Sequence, residues 1–495
     1  MKQIQQKTLY DITKDVDNLI DSTDFNYGFN SKSQINSYNP SNGRIITSFP
    51  ELDIQAVDTI VKKAKDAFEA GVWSRADPLY RREVLLKFAN LIKENDYQLA
   101  LLDTIDSGMP LKNSFFMELP FTIRCVTWYA ELIDKIYGET INIKTKQFAT
   151  VTREPIGVVA AIIAWNAPLM LAMTKIVPAL AAGNSIILKP SEHASLSLIK
   201  LYELARKSGF PEGAFNIVTG TGEMVGKFLG LHNEIDCLTF VGSTQIGKKF
   251  LEYSGSSNMK KVILECGGKS ASIIYKDCYD LDQSILSTLE SSLFNQGTVC
   301  MASSRILVEQ NIYDIVIKKI LEYVKSYQPC NPLELTSNMG PMINKAHLNK
   351  VLKYIKLGIK ENATLVHGGN QALSNTGGYF IEPTIFINVN NNMTIAQEEI
   401  FGPVVSIIPF ENEECIKISN NTKYGLASVI WTKDLSKANM TAKRINCGLI
   451  RINTIESGGL QTPFGGYKES GIGRDRGIYA FHEYTQIKST VFALT

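Results

Sequence analysis

The sequence predicts an α/β protein built on parallel, doubly wound sheets. Short apolar runs mark strands that are buried on both faces, and segments with helical periodicity follow them. The connections between these segments are short, as in repeated βα units. Of the 495 residues, 44% are hydrophobic and 20% are charged, which is typical of a globular protein rather than a disordered one.

The first part of the chain is predicted to be helical. Apolar residues recur at intervals of three and four from about residue 54, and similar helices are expected over roughly 78–107 and 114–137. Residues 139–154 instead alternate in hydrophobicity and indicate an exposed strand or hairpin. The first 30 residues carry no clear strand-turn-strand pattern.

Two series of alternating strands and helices follow. The first series has predicted strands at 157–163, 185–189, 215–218 and 237–241, and predicted helices at 169–182, 197–207 and 224–229. The second series has predicted strands at 271–274, 305–308, 404–409 and 449–452, and predicted helices at 313–324 and 348–361. The tail, 485–494, indicates an edge strand.

Composition and spacing argue against several functional classes. Lys+Arg 51 against Asp+Glu 49 leaves a net charge of +2, without the basic excess of a nucleic-acid-binding protein. The 8 cysteines include no C-x-x-C pair and the 5 histidines are scattered, so neither a disulfide scaffold nor a metal site is predicted. The most apolar stretch, 156–188, is broken by Asn166, Lys175 and prolines, and the N-terminus lacks an apolar core. We therefore expect a cytoplasmic protein with no membrane span and no signal peptide.

Two glycine-containing turns follow predicted strands and are candidates for contact with a phosphate. Gly222 and Gly226 belong to a G-x-G-x-x-x-G pattern, for which a plain strand-to-helix turn is the commoner explanation. Gly242 and Ser243 follow the strand that contains Phe240, and Ser243 stands where a helix N-cap belongs. The free N–H groups of such a helix suit a pyrophosphate, although a capped helix without a ligand remains the alternative.

Lys189 and Glu192 lie where a buried strand ends. Ligands of open α/β sheets bind at this carboxyl edge, and the two side chains can hydrogen-bond ribose hydroxyls. The carboxylate would also repel a 2′-phosphate. The alternative is an ion pair on a solvated loop.

Cys300 and Glu265 are the chemical candidates. A single cysteine is usually a small buried hydrophobe, but Cys300 follows a polar turn that contains Gly297. An exposed and electrostatically supported thiolate is a nucleophile. Glu265, in a glycine-rich segment, can act as a general base. No histidine is close to Cys300 in the sequence, so a Cys/His hydrolase would need a distant one.

Taken together, the motifs resemble the aldehyde dehydrogenase superfamily over nearly the whole chain. They occur in the order of that family and are Glu154-Pro155-Ile156-Gly157-Val158, Trp165-Asn166-Ala167-Pro168, Pro178-Ala179-Leu180-Ala181-Ala182-Gly183-Asn184, Lys189-Pro190-Ser191-Glu192, Gly242-Ser243-Thr244, Leu264-Glu265-Cys266-Gly267-Gly268-Lys269, Asn295-Gln296-Gly297 with Cys300, Glu398-Glu399-Ile400-Phe401-Gly402-Pro403, and Pro463-Phe464-Gly465-Gly466. One such motif would be chance, but the ordered set is specific.

The resemblance implies a mechanism. Cys300 would attack the aldehyde carbon, and the Asn166 side-chain amide together with the Cys300 N–H would hold the oxyanion. Hydride loss would leave a thioester, which water activated by Glu265 would hydrolyse. Both residues are present, whereas relatives that pass the acyl group to coenzyme A typically lack the glutamate. Lys175 matches a family lysine that is thought to support the proton relay.

The resemblance also implies NAD as the cofactor. Lys189 and Glu192 would bind the adenosine ribose, Ser243 the pyrophosphate, and Glu399 the nicotinamide ribose. Glu192 favours NAD, with NADP the less favoured possibility. The residues placed at the cofactor are Trp165, Lys189, Glu192, Gly222, Gly226, Phe240, Gly242, Ser243, Glu399 and Phe401.

Small side chains are predicted in the substrate pocket. Relatives that oxidise small aliphatic aldehydes often carry aromatic rings where this sequence has Ala167, Thr174 and Gly458. Phe464 remains as one wall, and Val299 and Met301 flank the nucleophile. We therefore expect a wide pocket and a bulky or aromatic aldehyde. Cys266 stands where leucine is usual and is expected to serve in packing.

The family architecture implies a division of the chain. Residues 1–138 and 155–262 would form an NAD-binding domain of Rossmann type, and 263–465 an α/β catalytic domain. The strands at 139–154 and 480–495 would form a small β oligomerisation element, since pairing protects an edge strand. A homodimer or homotetramer is expected.

Two alternatives stay open at this point. Cys300 could serve an esterase or acyl-transferase without redox chemistry, which would hydrolyse esters without NAD. A non-catalytic member of the family would be expected to have lost Cys300, Glu265 or Asn166, and the sequence retains all three.

Overall fold

A computed structural model describes residues 6–29 and 31–494 of the chain. The N-terminal residues 1–5, on which the prediction about a signal peptide depends, lie outside this range. Within it the strands are, in chain order, β1 (Gln34–Tyr38), β2 (Ile45–Pro50), β3 (Glu139–Lys144), β4 (Gln147–Pro155), β5 (Val158–Ile162), β6 (Ser185–Lys189), β7 (Phe215–Ile217), β8 (Cys237–Val241), β9 (Lys261–Glu265), β10 (Ala271–Ile274), β11 (Arg305–Glu309), β12 (Thr364–His367), β13 (Thr384–Ile387), β14 (Val404–Phe410), β15 (Tyr424–Gly425), β16 (Ala427–Trp431), β17 (Leu449–Ile452), β18 (Tyr467–Lys468), β19 (Gly471–Ile472) and β20 (Thr485–Ala493).

The α-helices of the described residues surround these strands. They are α1 (Leu9–Ser22), α2 (Ile54–Ala70), α3 (Pro78–Glu94), α4 (Asp96–Ser107), α5 (Leu111–Asn113), α6 (Leu119–Leu132), α7 (Pro168–Ala181), α8 (Leu196–Ser208), α9 (Lys227–Leu231), α10 (Thr244–Gly255), α11 (Leu281–Leu293), α12 (Tyr313–Tyr323), α13 (Lys345–Lys360), α14 (Thr394–Gln397), α15 (Glu414–Asn420), α16 (Leu435–Arg444) and α17 (Gly477–Glu483). None of them is long and apolar enough to cross a membrane.

The first sheet has the strand order β19-β9-β8-β5-β6-β7. Its strands are parallel except for β19, which pairs antiparallel with β9. All residues of β5 are buried, and they alternate between two cores: Val159 and Ala161 face one, and Val158 and Ala160 face the other. A strand covered on both faces reads as a continuous apolar run, which is why this part of the fold could be predicted.

The second sheet has the order β12-β13-β14-β11-β10-β16-β17 and is parallel except for β12. Ile273 and Ile274 of β10 point into separate cores on its two faces. The chain passes from the first sheet to the second through the glycine-containing segment between β9 and β10. The predicted doubly wound α/β architecture is confirmed.

A third sheet, β20-β4-β3, is antiparallel and lies toward solvent. β20 pairs with β4 along its whole length, from Thr485 opposite Pro155 to Ala493 opposite Gln147. The alternating segment and the tail therefore pair with each other within one chain. Their predicted role in assembly and the predicted domain division remain proposals; the boundary drawn at residue 262 falls inside β9.

The structure differs from the sequence prediction in several segments. The helix expected at 78–107 is two helices. The backbone of Asn95 departs from helical geometry between them, and the Asn95 side-chain amide donates to the Leu91 carbonyl. The helix expected at 224–229 begins as a π-helical turn, Gly222–Gly226. The N-terminal region forms α1, closed by a capping box between Thr8 and Asp11, and then the hairpin of β1 and β2.

Candidate active site

A cavity of about 180 Å³ lies where β8 and β9 end, between the first and second sheets. Parallel strands bring their carboxyl ends to one edge, so loops from distant parts of the chain meet there. The residues that line it are Ala164, Trp165, Asn166, Leu171, Val241, Gly242, Ser243, Glu265, Cys266, Gly267, Cys300, His347, Lys350, Glu399 and Phe401. The cavity therefore brings together most of the predicted chemical residues and several of the predicted cofactor residues.

A left-handed turn after α11 presents Cys300. Asn295, Gln296 and Gly297 all have positive φ, of 49°, 47° and 69°. Asparagine tolerates this conformation better than most residues, whereas glutamine does so only under constraint. Gln296 is constrained because its Oε1 accepts from the Gly340 N–H at 3.0 Å. At Gly297 an added Cβ would lie 2.5 Å from the Gly402 carbonyl oxygen, so only glycine fits.

The same turn orients Asn166. The Asn295 side-chain amide donates to the Asn166 carbonyl at 2.7 Å, and the Asn166 amide donates to the Thr298 carbonyl at 2.8 Å. Asn166 is buried at the edge of the cavity that Cys300 also lines. An amide nitrogen carries two protons, so one remains for an oxygen held at the thiol.

Glu265 is the last residue of β9 and is buried. Its Oε1 has no hydrogen-bond partner among the described residues. Burial raises the pKa of this carboxyl to about 7, with a further increase from Asp475 and an opposing effect of Lys175. A carboxyl with this pKa can accept a proton near neutral pH, as a general base must.

The Cys300 thiol is half-buried and lies near that carboxyl. Burial, followed by the charge of Glu265, raises the pKa of the Cys300 thiol well above its usual range. Without a ligand, the thiol therefore holds its proton. The negative charge of the ionised Glu265 thus works against loss of the Cys300 proton.

Cys266, beside Glu265, is a packing residue in this structure. It belongs to the core that β5 and β8 share, and its Sγ would lie 2.9 Å from a Cβ placed on Gly247. Burial, with the nearby Glu265 charge, raises the pKa of its thiol to about 12. A protonated, packed thiol is not a nucleophile.

Lys175 forms a buried ion pair with Asp475, Nζ to Oδ1 at 2.7 Å. Asp475 is fixed by Phe464, with which it exchanges two backbone hydrogen bonds of 2.7 Å each. The next residue, Arg476, places its guanidinium 4.9 Å from the centre of the Phe464 ring. Sequence reasoning missed Asp475 and Arg476, because a partner 300 residues away leaves no local pattern.

An aromatic cluster forms another wall of the cavity. The rings of Trp165 and Phe401 are 5.4 Å apart, and the His347 ring is also 5.4 Å from Trp165. His347 Nε2 lies 2.6 Å from the Phe401 carbonyl oxygen, so this nitrogen donates. Burial lowers the pKa of His347 to about 4, so the ring is neutral. His347 was not predicted, since a lone histidine on a helix carries no signal in the sequence.

Glu399 reaches into the cavity from the segment before Phe401. Its Oε1 accepts from the Gly268 N–H at 3.0 Å, and burial raises the pKa of the carboxyl. An added Cβ on Gly267 would lie 2.1 Å from Glu399 Oε2. The glycines after Glu265 thus allow close approach of this second carboxylate.

Lys189 and Glu192 form an ion pair at the end of β6, with Nζ 3.2 Å from Oε2. The other carboxylate oxygen of Glu192 accepts from the Gly222 N–H at 3.2 Å. Gly222 thus contacts the carboxylate, and Gly226 has no atom within 4 Å of an added Cβ. The predicted ribose-binding pair is held at the sheet edge.

Ser243 is the N-cap of α10, as its position in the sequence predicts. Its hydroxyl accepts from the Ile246 N–H at 3.4 Å. Phe240 packs against Phe250, with ring centres 5.0 Å apart, and against Gly242, where an added Cβ would lie 2.4 Å from the ring. Phe240 is thus mostly a core residue, and its contact with a cofactor remains a prediction.

The structure places the predicted pocket residues in different surroundings. Cys300 and Met301 pack against a small cluster that contains Phe464, but none of the six predicted pocket residues is among those that line the cavity. Thr174 donates its hydroxyl to the Leu171 carbonyl at 2.9 Å within its own helix. The nearest atoms to an added Cβ on Gly458 belong to Thr462 in the same loop. Ala167 is buried and Val299 half-buried.

No group of three or more His, Cys, Asp or Glu side chains with the arrangement of a metal site occurs in the residues 6–29 and 31–494.

The aldehyde dehydrogenase family profile matches residues 29–490. The NADP/NAD-dependent aldehyde dehydrogenase PuuC of Escherichia coli is 42% identical over 439 residues, which cover 88% of each chain. The chain belongs to the aldehyde dehydrogenase family. Human mitochondrial aldehyde dehydrogenase is 40% identical over 461 residues, covering 93% of this chain and 89% of the human protein.

Solved structures of aldehyde dehydrogenases superpose closely on this chain. KauB of Pseudomonas aeruginosa has a TM-score of 0.96 at 41% identity, covering 99% of this chain and 100% of that one. A mutant of P. syringae AldA, an indole-3-acetaldehyde dehydrogenase in complex with NAD+ and IAA, gives the same TM-score, identity and coverage.

Proposed function

We propose that this protein oxidises an aldehyde to a carboxylic acid with NAD as the hydride acceptor, using Cys300 as nucleophile and Glu265 as general base. The observation that carries the proposal is that both residues line one cavity, which also contains Asn166, Glu399 and the aromatic pair of Trp165 and Phe401. The family to which the chain belongs carries out this class of reaction.

The residues present fit a dinucleotide. The Lys189–Glu192 pair presents an ammonium and a carboxylate to ribose hydroxyls, and the N-terminus of α10 after Ser243 presents N–H groups to a pyrophosphate. Glu192 follows the end of β6, and its carboxylate would repel a 2′-phosphate on the ribose, which favours NAD over NADP. The PuuC enzyme is described as NADP/NAD-dependent, and the AldA structure contains NAD+. When bound, NAD supplies the hydride acceptor and a positive charge near the thiol.

In the first half of the reaction, the Cys300 thiol loses its proton to solvent and its sulfur attacks the aldehyde carbon. The free proton of the Asn166 amide and the Cys300 N–H hold the resulting oxyanion. Loss of hydride from that carbon leaves a thioester on Cys300. Because Asn166 is anchored through Thr298 and Asn295, its amide needs no reorganisation in this step.

In the second half, Glu265 takes a proton from water, which attacks the thioester and releases the acid and the thiol. The unpartnered Oε1 of Glu265, as far as the described residues go, is free to bind that water. Burial raises the pKa of Glu265 to about 7, and the paired charges of Asp475 and Lys175 behind it act on that pKa in opposite directions.

The substrate is proposed to be a bulky or aromatic aldehyde. Ala167 and Thr174 are small, Gly458 has no side chain, and Phe464 leaves one aromatic wall. The P. syringae relative is an indole-3-acetaldehyde dehydrogenase, and indole-3-acetaldehyde is a bulky aromatic aldehyde.

Formation of NADH at 340 nm tests the reaction. We expect wild type to turn over, Cys300→Ala to be inactive and Cys278→Ala, which alters a half-buried cysteine outside the cavity, to keep its rate. Ester hydrolysis without NAD, in an enzyme that makes no NADH with NAD or NADP, would instead favour the acyl-transfer alternative.

A panel of acetaldehyde, hexanal and benzaldehyde tests the substrate class. We expect kcat/KM to be higher for benzaldehyde than for acetaldehyde. The highest kcat/KM for acetaldehyde would contradict a wide pocket and leave the reaction itself standing.

A further inference from the structure

A second, smaller cavity lies within the second sheet, away from the proposed reaction centre. Its volume is about 10 Å³, close to the minimum space that one water-sized ligand needs. It is lined by the start of β10, by Arg305 of β11 and by β16 and its flanking loops. Thr422 and Asn446, which are partly exposed, form the outer part of the lining.

Three unpartnered polar atoms surround this cavity. They are Lys269 Nζ, Ser270 Oγ and Ser419 Oγ, and each lacks a hydrogen-bond partner among the described residues. All three side chains are more than nine-tenths buried. Buried polar groups are nearly always satisfied, so three orphans around one cavity indicate a group that bonds to all of them.

Each of the three orphaned atoms can donate a hydrogen bond, and their residues line the same cavity. The Lys269 ammonium donates up to three hydrogen bonds and accepts none, and each serine hydroxyl can donate one. A single ligand that accepts a hydrogen bond from each of the three donors would satisfy them together. This chemistry favours an anion.

The local charge also favours an anion. Lys269 and Arg305 are both almost fully buried, and neither forms an ion pair within the part of the chain that the structure describes. Arg305 donates to the Lys269, Ile418 and Ser419 carbonyls and to the Asn391 side chain, all of them neutral. Two buried cations without a counter-ion are costly.

Nearby acids do not supply the counter-ion. Glu399 accepts a hydrogen bond from the Gly268 N–H, and Glu398 forms an ion pair with Lys423. Both carboxylates act to raise the pKa of Lys269, but neither is paired with it in the described residues. Burial and the Arg305 charge lower the pKa of Lys269 to about 7, which is the result of an ammonium without a bonded anion.

We propose that this cavity binds a single small monovalent anion, such as chloride, between Lys269, Ser270 and Ser419. The volume excludes a carboxylate or phosphate ligand, and a water molecule would satisfy the hydroxyls but leave both cations uncompensated. The site lies on the segment that joins β9 to β10, so the anion ties the residues after Glu265 to the second sheet. The inference does not depend on the proposed reaction.

Diffraction from crystals of the whole protein in sodium bromide, without chloride, identifies the occupant. We expect an anomalous peak at the bromine edge in contact with Lys269 Nζ and the two serine hydroxyls. A water molecule without anomalous signal at this position would overturn the proposal.

Thermal unfolding gives an independent test in solution. At constant ionic strength, replacing gluconate by bromide should raise the Tm of wild type, because a ligand that binds only the folded state stabilises it. Ser419→Ala removes one donor without changing charge and should weaken the apparent bromide affinity by roughly tenfold or more. Lys269→Met should abolish the effect.

Ser428→Ala is the matched control. Ser428 lines the same cavity, but its hydroxyl already donates to the Ala271 carbonyl at 2.9 Å. This variant should unfold at a lower temperature and keep the bromide dependence of wild type. Bromide dependence that is equal in wild type, Ser419→Ala and Ser428→Ala would overturn the proposal, even if Lys269→Met does not fold.

Discussion

The protonation state of two side chains decides the chemistry at the residue scale. Glu265 has a pKa raised to about 7 by burial, and Cys300 has a thiol pKa raised well above its usual range by burial and by Glu265. The carboxyl is therefore the group that changes charge near neutral pH. The thiol keeps its proton in the free enzyme, and the positive charge that a bound cofactor would supply favours its ionisation.

The pH dependence of the rate follows from this arrangement. A general base works in its ionised form, so we expect kcat to rise with pH through about 7 and then level off. In Glu265→Gln this rise should be absent. A pH–rate profile of both proteins checks it, and an identical rise in the variant would assign the titration to another group.

Asn166→Ala removes the proposed oxyanion donor. We expect kcat to fall by about 10²- to 10³-fold, as for other oxyanion donors, while KM changes little. Asn216→Ala is the control, since the Asn216 amide also donates to backbone carbonyls, those of Ile186 and Gly213, but outside the cavity. It should lower stability and leave kcat unchanged; equal losses of kcat in both variants would point to a structural role for Asn166.

At the scale of elements, much of the fold could be predicted from the sequence. The predicted strands at Ser185–Lys189 and Cys237–Val241 agree with the structure to the residue, because buried parallel strands are mostly apolar runs. β19 was missed, since a two-residue strand that pairs with β9 only through tertiary contact has no pattern of its own.

Only those residues of the candidate site that belong to recognisable sequence motifs could be predicted. Cys300, Glu265 and Asn166 line one cavity, and their catalytic roles stay predictions. Asp475, which fixes Lys175, and the left-handed turn at Asn295 depend on partners far away in the chain. Such partners become visible only after the chain has folded.

The left-handed turn before Cys300 gives a test at this scale. Gly297→Ala places a Cβ 2.5 Å from the Gly402 carbonyl oxygen, on top of the usual cost of roughly 1–2 kcal/mol for a positive φ. We expect the free energy of unfolding to fall by more than about 2 kcal/mol and kcat to fall as Cys300 shifts. Denaturant unfolding and NADH formation measure the two effects.

Gly209→Ala is the matched control for that variant. Gly209 also has a positive φ, of 102°, but no atom lies within 4 Å of its added Cβ. It should lose only the conformational cost and keep its rate. A loss of stability at Gly297 no larger than that at Gly209 would show that the contact with Gly402 is not a constraint.

At the scale of the whole molecule, the third sheet leaves apolar side chains in solvent. Ile487 and Val491 of β20 are 62% and 63% exposed. Val491 pairs with Ala149, and Ala149 with Ile141 on β3, so one face carries an apolar row across three strands. An exposed row of this kind is typical of an interface between subunits, and we propose that copies of the chain associate through this sheet.

Charged substitutions at the exposed apolar residues of β20 test the assembly. We expect Ile487→Lys together with Val491→Lys to reduce the molar mass measured by light scattering after gel filtration. Leu435→Lys, at a residue that is 79% exposed on α16, should keep the mass of wild type. An unchanged mass in the double variant would place the interface elsewhere.

The proposed mechanism requires that one molecule of aldehyde becomes bound to Cys300 as a thioester, and that water activated by Glu265 is needed to release it. Mixing Glu265→Gln with NAD and aldehyde in a stopped-flow spectrometer tests it most directly, with mass spectrometry of the quenched protein. We expect a burst of about one NADH per active site, then a stall, with an acyl group on the peptide that contains Cys300. Continued turnover at the wild-type rate, or a burst without an acyl group on Cys300, would contradict the account.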